Sequence, residues 1–176
     1  MNYSILLAGF GGQGILFAGK LLTYVGMQTG HEVSWLPSYG PEMRGGTANC
    51  GVVISETPVG SPIILQPDLL VVMNPPSYDK FETMAKSGAK IFVDTSLVSR
   101  APSRGDVQTF GLAATRTAED KGMKGLANII MAGKLIAETR LCSLEQAKAA
   151  LEKTVPPRKA DLMEKNMEAL KLGMSM

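Results

Sequence analysis

The run Ser4-Ile-Leu-Leu-Ala8, followed at once by Gly9-Phe-Gly-Gly-Gln-Gly14 and an amphipathic stretch, restricts this chain to few folds. A short, continuous apolar run that ends at glycines is typical of a strand buried on both faces, as in a parallel sheet. Glycines let the backbone turn at positive φ and open a helix. Beyond Gly14, residues Ile15, Ala18, Leu22 and Val25 share one helical face, and Gly30 stands in the position favoured for a helix C-cap. Residues 32–36 read as the next strand. Strand, glycine turn, helix, strand predicts an α/β fold with a doubly wound, mostly parallel sheet.

Residues 50–55, 68–73, 90–94 and 107–111 carry the remaining strand signals, with a short helix over 79–87. From Thr115 the pattern turns helical, with a long helix over about 118–139 and a second over 143–153. Ser143 is placed to cap the second, with Gln146 in the capping-box position. Val155-Pro-Pro157 breaks the chain before a last helix over 159–172, where Leu162, Met163, Met167, Leu170 and Met174 form an apolar stripe. That stripe either packs on the body or faces a partner. Residues 1–176 read as one domain, with the sheet in 1–114 and a helical C-terminal region in 115–176.

Composition removes several function classes. With 176 residues and 45% hydrophobic content the chain can bury one core. Eighteen basic against sixteen acidic residues give a formal charge of +2, so no strong field favours nucleic acid or an anionic membrane. Cys50 and Cys142 form no Cys-x-x-Cys pair, which supports neither a zinc site nor an iron–sulfur cluster on this chain. Two buried free thiols in a reducing cytoplasm are the simple expectation. No apolar run reaches the roughly 18 residues of a membrane helix, and no basic secretory lead precedes the first strand.

The glycine turn matches G-x-G-x-x-G in the strand-to-helix context that a Rossmann-like fold requires. Gly9, Gly11, Gly12, Gln13 and Gly14 either serve close helix–sheet packing or leave free amides that bind an anion. Dinucleotide binding also needs an acid at the end of the second strand, about 20 residues on. The only acid there, Glu32, is at the wrong end, and no base replaces it, so NAD is not expected. His31 sits at a helix–strand turn without triad partners, and no P-loop is present.

The other dense signal is Pro37-Ser-Tyr-Gly-Pro-Glu-Met-Arg-Gly-Gly-Thr-Ala-Asn-Cys50. Gly40, Pro41, Gly45 and Gly46 constrain the backbone, while Ser38, Tyr39, Glu42 and Arg44 supply polar contacts. Glu42 and Arg44 either pair locally or reach the rim of a neighbouring subunit's active site. Asn128, in an apolar helical stretch, either satisfies loop backbone groups or reaches toward the glycine turn.

Ala8–Gly14, Ser34–Cys50 and Gly60-Ser-Pro62 closely resemble the gamma subunit of 2-oxoacid:ferredoxin oxidoreductases, nearest to the 2-oxoglutarate branch. The resemblance extends to Asn128 and covers most of the chain. It implies a subunit of a cytoplasmic complex that decarboxylates a 2-oxoacid with coenzyme A, giving acyl-CoA, carbon dioxide and reduced ferredoxin. Thiamine diphosphate, Mg2+ and [4Fe–4S] clusters are then expected on alpha, beta and ferredoxin-like delta subunits, with no metal and no catalytic residue assigned to this chain. Ser38–Gly46 is expected to line the active-site rim with Asn128, above a supporting or anion-receiving glycine turn. Pyruvate, ketoisovalerate and indolepyruvate stay open as substrates. So do a free-standing nucleotide-binding or sensor module, a self-assembling structural protein, and a homodimer of the isolated chain.

Overall fold

The computed structural model describes residues 2–38, 47–156 and 161–176; Tyr39, Glu42, Arg44, Gly45 and Gly46 lie outside the described residues. Six strands form one sheet: β1 (Tyr3–Phe10), β2 (Glu32–Ser38), β3 (Thr47–Ser55), β4 (Leu69–Val72), β5 (Lys90–Asp94) and β6 (Gln108–Leu112). Their order is β2-β3-β1-β4-β5-β6. The pairs β1–β4, β4–β5 and β5–β6 are parallel, while β3 runs against both of its neighbours. Five of the six strands therefore point the same way and only β3 is reversed. The sheet is mostly parallel, as the apolar runs predicted. It also departs from the simple strand–helix–strand unit, because β3 inserts between β1 and β2.

Among the described residues six α-helices flank the sheet: α1 (Ile15–Gln28), α2 (Pro75–Phe81), α3 (Ala114–Asp120), α4 (Ala127–Thr139), α5 (Leu144–Thr154) and α6 (Met163–Ser175). One face of the sheet, with Ile5, Leu7, Val52, Val71 and Phe92, packs against α1 and α3–α6 through Leu21, Leu22, Ala118, Ile130, Leu135, Leu151 and Leu170. The opposite face, with Leu6, Ala8, Leu70, Val72 and Ile91, packs on Tyr78 and Phe81 of α2 and on Val98. Helices on both faces make the sheet doubly wound, with a thick layer and a thin one.

Several element boundaries differ from the sequence expectation, each for a local reason. Strand β2 continues through Pro37 to Ser38, because an edge strand tolerates a missing N–H. Helix α2 starts at Pro75, not at residue 79. Asn74 accepts from the Ser77 amide at 2.8 Å and caps it, and Pro75 and Pro76 fill first-turn positions that need no donor. The long helix expected over 118–139 is two helices, α3 and α4, because Gly122 (φ 67°) and Gly125 (φ 88°) take left-handed backbone between them. The capping box at Ser143 and Gln146 forms as expected. The last helix starts at Met163 and runs to Ser175, and it crosses α4 where Gly133 faces the Leu170 carbonyl and Gly173 faces Ile130. Backbone meets backbone at that crossing, leaving no room for a methyl group.

The thin layer is tied down by one buried carboxylate. Glu82, 1% exposed, accepts from Tyr78 Oη (3.0 Å), Arg100 Nη2 (2.6 Å), Ser103 N (2.8 Å) and Ser103 Oγ (2.8 Å). Burial alone would push its carboxyl up, but these donors together outweigh it and hold the group below its ordinary value. The Arg100 guanidinium also lies 4.4 Å from the Tyr78 ring centre. Residues 100–103 are thereby strapped to α2. The stability that Glu82 contributes is present above the unfolded carboxylate range and lost as pH falls through its lowered folded pKa. In urea unfolding, Glu82→Gln is expected to cost about 2 kcal/mol near neutral pH, since a charge-assisted acceptor is lost. The variant should also flatten the loss of stability below about pH 4 that the unmodified chain shows.

Candidate functional site

The reversed β3 decides where the chemistry-bearing segments meet. Phe10, the last residue of β1, lies opposite Thr47, the first of β3, and Ala8, Asn49 and Ser38 form one cross-strand row. The glycine turn and both ends of the 39–46 connection therefore sit at the same end of the sheet. This is the carboxyl end of the parallel strands, where open α/β sheets place ligands. Chain direction reverses its winding here too: α1 leaves β1 on the thick side, and α2 leaves β4 on the thin side.

Within the turn, Gln13 folds back into the crevice between β1 and β4. Its Oε1 accepts from Phe10 N at 2.6 Å and its Nε2 donates to the Met73 carbonyl at 2.9 Å. One side chain thus bridges the ends of the two strands that flank the switch point. Gly12 and Gly14 hold left-handed backbone, at φ 95° and 74°. Gly14 is the N-cap of α1 and brings no side-chain cap, and no acid lies in the first turn. The amides of Ile15, Leu16 and Phe17 have no intrahelical acceptor, and the helix dipole places partial positive charge there. Phe10, Gly11, Gly12, Gly14, Ile15, Leu16 and Ala48 line a shallow cleft of about 240 Å³ at this point.

Asn128 sits in the first turn of α4, and its Nδ2 donates to the Gly14 carbonyl at 2.9 Å. A Cβ at Gly14 would stand 2.5 Å from that nitrogen, so only glycine fits both the φ and the contact. The starts of α1, α4 and α6 converge on a second cleft of about 220 Å³, walled by Phe17, Leu126, Val155, Pro156 and Leu162. Asn128 and Asn166 line it, each 3% exposed, and Asn166 Nδ2 donates to the Leu162 carbonyl at 2.7 Å. Their Oδ1 atoms accept no hydrogen bond among the described residues. Two buried acceptors in a mainly apolar wall suit a group that carries N–H or O–H donors.

Among the described residues, the acid on β2 is not placed to serve as the dinucleotide element. Glu32 opens β2 at the opposite end of the sheet, and β2 is not adjacent to β1 at all. A carboxylate at the end of β2 would be one strand too far from the turn. Asn166 and Phe17 were not singled out from the sequence. A lone amide on the apolar stripe of the last helix was the available signal for Asn166; Phe17 had none. Ser38 is exposed at the end of β2, while the remaining loop residues, Tyr39, Glu42, Arg44, Gly45 and Gly46, lie outside the described residues.

A family model described as pyruvate ferredoxin/flavodoxin oxidoreductase matches residues 4–176, almost the whole chain. The chain belongs to that family. Among the relatives of this chain is the 2-oxoglutarate synthase subunit KorC of Methanocaldococcus jannaschii. It is 37% identical over 177 residues, 98% of this chain and 92% of the relative. The ketoisovalerate oxidoreductase subunit VorA of Methanothermobacter thermautotrophicus is 43% identical over 133 residues, 76% of this chain but only 28% of that protein. The matched region thus spans nearly all of one relative and little more than a quarter of another. Among solved structures, the keto/oxoacid ferredoxin oxidoreductase gamma subunit of Geobacter sulfurreducens superposes with a TM-score of 0.86 at 31% identity, covering 99% of this chain and 95% of that one. The relatives are named for different 2-oxoacids, so membership does not fix a substrate.

The contact of Gly14 with Asn128 yields a double-mutant cycle. Gly14→Ala is expected to cost about 1–2 kcal/mol for left-handed backbone, plus the clash with Asn128. Asn128→Ala is expected to cost about 1 kcal/mol for the lost bond to Gly14. In chemical denaturation the double variant should be more stable than the sum of the two single losses requires, because trimming Asn128 makes room for the new methyl.

Proposed function

We propose that this chain is the gamma-type subunit of a 2-oxoacid:ferredoxin oxidoreductase and that it frames the active site without carrying the redox chemistry. Under this reading the complex decarboxylates a 2-oxoacid with coenzyme A to acyl-CoA and carbon dioxide and reduces ferredoxin. The 2-oxoglutarate type is favoured by the KorC relative, which matches along nearly its whole length. The observation that carries the proposal is the shared position of the glycine turn and the two ends of the 39–46 connection, with Phe10 opposite Thr47. Two unlike segments, 30 residues apart, are held together at the ligand-binding end of the sheet.

The described residues of this chain do not fit the cofactors of such a complex. Among the described residues no three His, Cys, Asp or Glu side chains are grouped to hold a metal. Burial pushes the Cys50 thiol up to about 12 and Cys142 to about 11, and the two cysteines belong to no such group. Thiamine diphosphate, Mg2+ and [4Fe–4S] clusters are accordingly assigned to alpha, beta and delta partner subunits.

What this chain supplies is placement. The uncapped start of α1 offers amides and positive potential to an anionic group, such as the carboxylate of the oxoacid or a phosphate of coenzyme A. Gln13 and Asn128 hold the turn from both sides. Under the same proposal the Ser38–Gly46 segment helps enclose the substrate or coenzyme A channel, with Glu42 and Arg44 forming interchain hydrogen bonds. In the reconstituted complex, combining Glu42→Ala with Arg44→Ala should lower turnover or subunit retention by roughly tenfold or more, as expected when charged interface partners are left unpaired. Unchanged assembly together with unchanged turnover would remove the segment from the mechanism.

A further inference from the structure

Helix α1 leaves β1 on one face of the sheet and α2 leaves β4 on the other, so a crevice opens outside the carboxyl ends of these two strands. Doubly wound sheets take a nucleotide's phosphates in such a crevice. In this chain the hydrogen-bonding groups of the crevice are already engaged. Pairing of the two strands runs one step past β4, where Met73 N donates to the Ala8 carbonyl at 2.9 Å. Beyond that step Gln13 takes over. Phe10 N donates to its Oε1 at 2.6 Å, and its Nε2 donates to the Met73 carbonyl at 2.9 Å. Gln13 N in turn donates to the Phe10 carbonyl at 3.2 Å. The amides at both ends of the turn are thereby satisfied within the chain.

Gly9 makes room for this arrangement. A Cβ there would stand 2.5 Å from Gln13 Oε1 and 2.8 Å from Ile15 Cδ1. Glycine lets another group approach the backbone closely, and in this turn the group is the chain's own carboxamide. The cleft that stays open at the turn lies on the other side of β1. Its wall includes Ala48 of β3 and, among the described residues, none from β4.

We infer that Gln13 is a built-in occupant of the crevice between β1 and β4: its carboxamide shuts nucleoside phosphates out and leaves the β3 side of β1 as the open face of the turn. A tethered group competes at a high effective concentration. An entering phosphate would have to displace it and break both of its hydrogen bonds, at 2.6 and 2.9 Å. Gln13 is in this sense a specificity-determining residue that works by exclusion. The inference concerns the turn of the chain by itself and does not rest on assembly with other subunits. It opposes the reading of the chain as a free-standing nucleotide-binding module.

The test compares the full unmodified chain with Gln13→Ala, using magnesium ADP as the probe and amide exchange at Phe10, followed by NMR, as the local readout. In the unmodified chain the Phe10 amide should be protected, and ADP should leave it unchanged. Gln13→Ala should expose that amide and bind ADP at least about tenfold more tightly, since no hydrogen bond has to be displaced. Added ADP should then restore protection at Phe10, which a merely structural role of Gln13 would not produce. Gln13→Glu keeps an acceptor for Phe10 and adds a negative charge, so it should gain no affinity. Gln13→Ser takes the place of the alanine variant if circular dichroism shows that variant unfolded. ADP that binds the unmodified chain and alters exchange at Phe10 overturns the inference. So does a folded alanine or serine variant with no gain in affinity. Both outcomes leave the gamma-subunit reading to its own assembly test.

Discussion

Antiparallel pairing of β1 with β3, eight residues long from Tyr3 opposite Ile54 to Phe10 opposite Thr47, governs the arrangement of everything around the glycine turn. In a simple parallel unit β2 would lie beside β1, and the connection after it would lead away from the turn. Reversal of one strand brings the chain back, so that the end of β2 and the start of β3 meet the end of β1. The cost is a ladder of mixed direction in a sheet otherwise suited to parallel pairing. The compensation is a row, Ala8–Asn49–Ser38, that joins three strands at the place where ligands of open α/β sheets bind.

The side chains around that place work mainly on the backbone. Gln13 satisfies one donor and one acceptor left by the ends of β1 and β4, and Asn128 adds a second donor to the Gly14 carbonyl, which also accepts from Ala18 N. Such groups would otherwise be costly to leave without partners. Their use fixes the turn without placing any titratable group in it.

Local signals in the sequence were read well where they act locally. The helix opened by Gly14, the turn at Gly30 and the box at Ser143 and Gln146 depend on residues within one or two turns of one another. Strand direction does not. The run at residues 50–55 has the same apolar pattern whether it is parallel or reversed, and only its long-range pairing decides. The starts of α2 and α4 were legible but missed: Asn74-Pro75-Pro76 is a cap and first turn, and Gly122 with Gly125 is a break. Within the site, the glycines were visible in the sequence. The cleft between three helix starts was not, since Phe17, Asn128 and Asn166 meet only in the folded chain.

Cys50 shows what the depth of the thick layer entails. Its Sγ lies beneath α1, 3.6 Å from the Ile15 carbonyl, where burial keeps the proton on sulfur. A thiol in that condition neither attacks disulfides nor captures oxidants readily. At this position oxidation to a disulfide or a sulfenic acid is disfavoured both by the missing thiolate and by the helix that covers the sulfur.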